Sequence, residues 1–161
     1  MREYSEMDMP IELRTLVQVL MPQLLDGPDK TLEILRTQWK SASVGKVEYS
    51  GVGFFANFIV PQFAQKVEPP NFCGGDAVIH AKGVTNRAGC VLYVEHGVLS
   101  YLEVFTYSDD WPEHPQEVVV NNVQPLNTTI SSSNYAIKGT SVETLDSSEP
   151  SSGASVPYFG C

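Results

Sequence analysis

The chain has 161 residues, 42% hydrophobic and 18% charged, a profile that supports a folded core without a metal or disulfide staple. Its 19 acidic residues outnumber 10 lysines and arginines, for a formal net charge of -9. That balance argues against nucleic acid and anionic membranes as ligands, since both need a basic footprint, and leaves a basic protein as the charged partner that fits.

The opening M-R-E-Y-S-E-M-D-M-P carries acids and no apolar run, so no signal peptide is expected there. Pro10 after Asp8 suits a helix start, and Leu13, Leu16, Val17 and Leu20 recur at i, i+3, i+4 and i+7. Pro22 is expected to end or kink this first helix. A second helix should follow, with Asp26 or Gly27 as its cap, Pro28 as its first residue and Asp29 at the positive end of its dipole. Leu32, Leu35 and Trp39 share a face of it, and both apolar stripes read as core.

From Ser43 the apolar period changes from 3.6 to 2. V-G-K-V-E-Y-S-G is a half-buried strand, Gly51 and Gly53 suggest a turn or bulge, and F-F-A-N-F-I-V is the next strand. Residues 62–75, with Pro69, Pro70, Gly74 and Gly75, read as a long loop. D-A-V-I-H-A-K and C-V-L-Y-V-E are strands, and His96-Gly97 closes a tight hairpin into V-L-S-Y-L-E-V-F-T-Y. E-V-V-V-N-N-V supplies a last strand. Helices precede strands and do not alternate with them. The expected class is therefore α+β, with two N-terminal helices on one face of an antiparallel sheet of about five or six strands. Residues 1–125 form this single domain, and residues 126–161, rich in serine and threonine, read as a disordered tail.

Few residues invite chemistry. Cys73, Cys90 and Cys161 show no metal spacing, and their odd number argues against a secreted disulfide framework, which makes the cytoplasm the expected compartment. Cys90 lies in an apolar strand and reads as a small buried hydrophobe. His80, His96 and His114 have no ligand partner at a recognisable spacing, so neither a metal nor another cofactor is expected. Cys73 could be imagined as a nucleophile with His80 as its base, but nothing marks a lowered thiol pKa. Glycines 74 and 75 lack the pattern of a phosphate loop.

The richest stretch is L-S-Y-L-E-V-F-T-Y-S-D-D-W-P-E-H-P, residues 99–115. Strict alternation puts Leu99, Tyr101, Glu103, Phe105 and Tyr107 on one side and Ser100, Leu102, Val104 and Thr106 on the other. If the first set faces solvent it is a tyrosine-rich patch around a carboxylate, a composition common at interfaces; if it faces the core, Glu103 needs a buried partner. The following loop offers Asp109, Asp110, Trp111 and Glu113. These form either an aromatic anchor in an acidic rim, or a cap in which Trp111 and Pro112 cover the open end of the core.

The hairpin V-L-Y-V-E-H-G-V-L-S-Y-L-E-V-F-T-Y-S-D-D, together with L-L-D-G-P-D-K-T-L-E-I-L-R-T-Q-W upstream, resembles a family of small bacterial proteins. That family carries an L-x-V-x-x-G-x-L-S-x-L-E-x-[YF]-[ST]-Y hairpin, and the likeness spans residues 24–112. The resemblance implies a cytosolic bacterial single domain rather than an activity. It maps a recurrent Leu-Glu pair onto Leu102 and Glu103, and gives no support to the tail. Together these readings point to a non-enzymatic acidic interaction protein, of the kind that neutralises a basic toxin as an immunity protein does. The expected binding residues are Tyr101, Glu103, Tyr107, Asp109, Asp110 and Trp111. The competing expectation is a small-molecule binder or enzyme with Glu103 in a cleft and His80 or His114 beside it.

Overall fold

A computed structural model describes residues 2–5 and 7–127. In chain order these form β1 (Arg2–Tyr4), α1 (Ile11–Leu24), α2 (Lys30–Ser41), β2 (Ser43–Tyr49), β3 (Gly53–Ile59), β4 (Phe72–Gly74), β5 (Asp76–His80), β6 (Ala88–Glu95), β7 (Val98–Thr106) and β8 (Val119–Gln124). The fold is α+β. The strands make an eight-stranded antiparallel sheet in the order β1-β2-β3-β7-β6-β5-β8, with β4 also paired to β6.

The sheet is larger than its alternation pattern indicated, because β1 and β4 are three-residue strands too short to show a period. The first of them precedes the helices and edges the sheet against β2. The second lies inside the expected long loop and pairs Cys73 with Tyr93. Helix placement also differs, because the helices divide the sheet between them: α1 packs along the edge strand β8 and α2 against the central β7. Pro22 does not end α1, which continues to Leu24. Pro22 removes one backbone bond, the N–H that would donate to the Gln18 carbonyl, and the burial of Met21, Leu24 and Leu25 around it offsets that loss. The cap of α2 is Asp29 rather than Asp26 or Gly27, its carboxylate accepting the Thr31 N–H at 2.7 Å.

The expected helical stripe of Leu13, Leu16, Val17 and Leu20 is buried. It joins one core with Val47, Phe54, Ala56, Ile79, Cys90, Leu92, Leu102 and Val104 from the strands. Gln38 of α2 is also buried, and its amide is fully used. Its nitrogen donates to the carbonyls of Gln65 (2.7 Å) and Gly97 (3.0 Å), and its oxygen accepts the Leu99 N–H (2.9 Å). One side chain therefore ties α2 to the β6–β7 hairpin. The hairpin turn has positive φ at His96 (55°) and Gly97 (81°), the backbone of the two-residue turn expected from the sequence. At Gly53, which pairs with Phe105 of β7, an added Cβ would lie 1.8 Å from the Val104 carbonyl, so no side chain fits. Leu126 is buried and donates its N–H to Leu24 (2.8 Å). The expected tail lies, from residue 128 onward, outside the described residues.

A candidate interaction surface on the central strands

Strand β7 has two distinct faces. Leu102, Val104 and Thr106 are buried, while Tyr101, Glu103 and Phe105 on the alternate positions are half-buried. Glu103 therefore points away from the core, and the question left open by alternation alone is answered. Leu99 departs from strict alternation and is buried. Tyr101 pairs with Tyr93 but Leu99 pairs with Val94, so a register shift at this point turns Leu99 to the core.

Cross-strand pairing extends the outer face over several strands. One row runs Glu48, Phe55, Glu103, Val91, and the next runs Asn57, Tyr101, Tyr93. Within it the rings of Tyr93 and Tyr101 stack 4.3 Å apart at 17°, and Phe55 meets Tyr101 edge-on at 6.0 Å. The Tyr93 hydroxyl donates to the Glu103 carboxylate at 3.2 Å. Asn57 donates its amide to Glu48 at 3.1 Å. Burial, then the charge of Glu103, pushes the Tyr93 phenol up to about 12. The Tyr101 phenol is also raised, by burial first and then by Glu95 and Glu103. Both shifts follow from the half-buried position of the rings beside carboxylates.

Tyr107 continues this surface beyond β7 and is exposed, its ring edge-on to Phe105 at 5.4 Å. Arg87 lies 4.8 Å from the centre of the Tyr107 ring and donates to its hydroxyl at 2.9 Å. The same guanidinium sits 3.6 Å from Asp76. Tyr107 is thus held in place by a cation already matched to a carboxylate.

The acidic loop separates into different roles. Asp109 accepts the N–H groups of Thr85 (2.7 Å) and Asn86 (3.3 Å), and so fastens the loop to residues 83–87. Asp110 is exposed, and its charge contributes to the raised pKa of Tyr49, whose first cause is burial. Trp111 is not a surface anchor: it is 1% exposed, its ring tilts against Phe54 at 6.0 Å, and its backbone N–H donates to the Gly51 carbonyl at 2.8 Å. The Thr106 hydroxyl, with one proton to donate, lies between the carbonyls of Val52 (3.1 Å) and Asp109. Glu113 pairs with Arg2 of β1, and His114 lies 3.1 Å from Glu12 of α1. The loop is stitched on several sides, and the reading of Trp111 as a core cap accounts for its position.

No histidine accompanies Glu103. His80 sits at the end of β5 opposite Val119, and His114 faces α1. Neither the groove between α1 and the segment 115–120 nor the groove between α1, α2 and the start of β2 includes Glu103. Cys73 is disulfide-bonded, so the thiol considered from the sequence is not a free nucleophile. Cys90 is free but buried, and that burial pushes its thiol up to about 12, the opposite of activation. Among the described residues, no group of three His, Cys, Asp or Glu side chains converges to hold a metal, and no helix is long and apolar enough to cross a membrane.

Sequence reasoning missed Gln38 and the Arg87–Tyr107 contact. Gln38 could have been found, since it lies three residues after Leu35 on the buried stripe of α2. Arg87 could not, because its partners are fixed only when the loop before β6 folds back over β7. No family model matches the chain, and no curated protein or solved structure matches it.

Proposed function

We propose that the chain is a non-enzymatic, acidic interaction protein, and that the outer face of β3, β7 and β6 is its binding surface. The observation that carries this reading is the Tyr93–Tyr101 stack, with Glu103 beside it, on a sheet face turned away from the helices' core. Rigid aromatic rings around a hydrogen-bonded carboxylate provide large contact area with little side-chain entropy to lose. The net charge of -9 favours a basic partner, whose approach it would accelerate. A toxin-neutralising role is one form of this function, in which the acidic face occupies a basic site on the toxin. The family resemblance of the hairpin adds weight to Glu103, and the binding residues reduce to Tyr101, Glu103, Tyr107 and Asp110, with Trp111 and Asp109 holding the loop.

The test is affinity capture of a basic protein by the wild-type chain, repeated with Tyr101→Ala and Glu103→Gln. A surface of this kind should lose about 2 kcal/mol or more of binding with Tyr101→Ala, because aromatic anchors dominate protein interfaces. A partner that binds both variants as it binds wild type would remove this face from consideration. Cytoplasmic residence belongs to the same proposal and turns on Cys73, since reducing compartments do not keep such bonds. Alkylation of protein taken from cells without reductant should label Cys73 if the chain works in the cytoplasm, and leave it unlabelled otherwise.

A further inference from the structure

The outer face of β6 and β7 carries negative charge that the described residues leave uncompensated. Glu103 of β7 is half-buried and accepts one hydrogen bond, from the neutral Tyr93 hydroxyl, which uses one of its two oxygens. Glu95 lies two residues beyond Tyr93 on the same side of β6 and is also half-buried. Among the described residues, no lysine, arginine or histidine forms an ion pair with either carboxylate. The third acid of this face, Glu48, differs, since Lys46 stands 3.8 Å from it. Lys46 also lies 3.0 Å from Glu3, and Arg87 donates to Ala77 and Tyr107, so both bordering cations are engaged elsewhere. Burial first, and then the charges of Glu95 and Glu103, raise the Tyr101 phenol, so both carboxylates act on that ring.

We propose that the basic partner places an arginine side chain here, its guanidinium on Glu103 and beside the Tyr101 hydroxyl, with Glu95 adding to the attraction. This rests on the reading of the outer face as the binding surface and names the group that the face receives. A half-buried carboxylate without a cation has lost part of its hydration, and it gains more from an opposite charge than a carboxylate in open water does. Arginine fits better than lysine for two reasons. Its planar fork can meet a carboxylate through two N–H groups while a remaining donor reaches the tyrosine hydroxyl. It is also more weakly hydrated than an ammonium, so it loses less on entering a surface lined by the Tyr93 and Tyr101 rings. Arginine is enriched at the centres of protein interfaces for the same reasons.

The probe is N-acetyl-arginine methylamide, compared at constant ionic strength with the corresponding lysine and citrulline compounds, the last a neutral isostere. The side-chain carboxyl carbon of Glu103 and the ring carbons of Tyr93 and Tyr101 report binding in NMR spectra of the full chain. Titration to about 100 mM exceeds the roughly 10 mM affinity expected of one charge-assisted contact. The expected result is a saturable shift at all three residues with the arginine probe. The lysine compound should bind about threefold more weakly or worse, and the citrulline compound should not saturate, since it lacks the charge. Glu103→Gln should abolish saturation, and Glu33→Gln on the exposed side of α2 should leave it unchanged. No shift with the arginine probe, equal binding of lysine or citrulline, or an undiminished response in Glu103→Gln would each overturn the proposal. If one of these results came with capture of a basic protein that Tyr101→Ala still abolishes, the binding surface would stand and the arginine alone would fall.

Discussion

The two faces of β7 differ by one residue of register and are built on opposite logic. Leu102, Val104 and Thr106 point into a core shared with both helices, where the environment is apolar and closed. Tyr101, Glu103 and Phe105 point the other way, into a surface of stacked rings and a carboxylate that water still reaches. A sheet needs only its first face buried to be stable, and the second is free to be chosen for other purposes. Aromatic residues in that second position contribute cross-strand stacking, but they also leave apolar area uncovered. The contrast teaches that the inner face specifies the fold and the outer face is where recognition has room to act.

The sharpest way to break this comparison is to truncate one residue on each face. Leu102→Ala should destabilise the fold by about 2–5 kcal/mol, the range for a buried leucine that leaves a cavity. Tyr101→Ala should cost about 1 kcal/mol, because its contribution is a half-exposed cross-strand pair. Urea denaturation of the two variants measures both. Equal losses would mean that the outer face is structural and that the division drawn here is false.

The next effect in size lies at the join between helix and hairpin. Gln38→Ala removes the acceptor of the Leu99 N–H and one of two donors to the Gly97 carbonyl, which keeps the Val67 N–H. A buried N–H left without a partner costs about 1–3 kcal/mol, offset where water enters. A loss within that range in thermal unfolding, with hydrogen exchange accelerated at Leu99 before the rest of β7, would place the weakness at the hairpin. Uniform exchange along β7 would contradict it.

Much of this arrangement is legible in the residues themselves. Alternation of apolar and polar side chains marks β2, β3, β5, β6 and β7, because each is long enough to show a period and has one face buried, whereas β8, with no buried residue, is marked only by its valines. The turn at His96-Gly97 is readable because only a few residue types tolerate positive φ. Other features depend on contacts that no local pattern carries. Strands β1 and β4 exist because their partners β2 and β6 offer free edges. Leu99 changes face through a register shift, and strict counting places it wrongly. The orientation of Glu103 is ambiguous from spacing because both sets of β7 residues are mostly apolar, and only the packing of α2 decides it. Trp111 could be an anchor or a cap, and the Gly51 carbonyl and Phe54 ring that bury it come from a turn some 60 residues earlier.

The smallest effect is electrostatic, and it distinguishes the outer face from an ordinary patch of tyrosines. The Tyr93 phenol is pushed up to about 12, first by burial, then by the charges of Glu103 and Tyr101 and the hydrogen bond to Glu103. In the unfolded chain it ionises near the ordinary value of about 10. The folded state therefore favours the neutral phenol. Its contribution to stability is complete below pH 10 and is lost as pH rises through 10 toward 12, because the unfolded chain releases its proton first. Wild-type protein should lose urea resistance more steeply over that window than Tyr93→Phe, which has no proton to release. Glu103→Gln should lower the Tyr93 pKa only part of the way, since burial is the larger cause and persists without the carboxylate. Absorbance titration of the phenolates near 295 nm follows both variants. A Tyr93 that ionises with the exposed tyrosines would show that water reaches the ring freely, and the two faces of β7 would then differ only in polarity and not in their degree of enclosure.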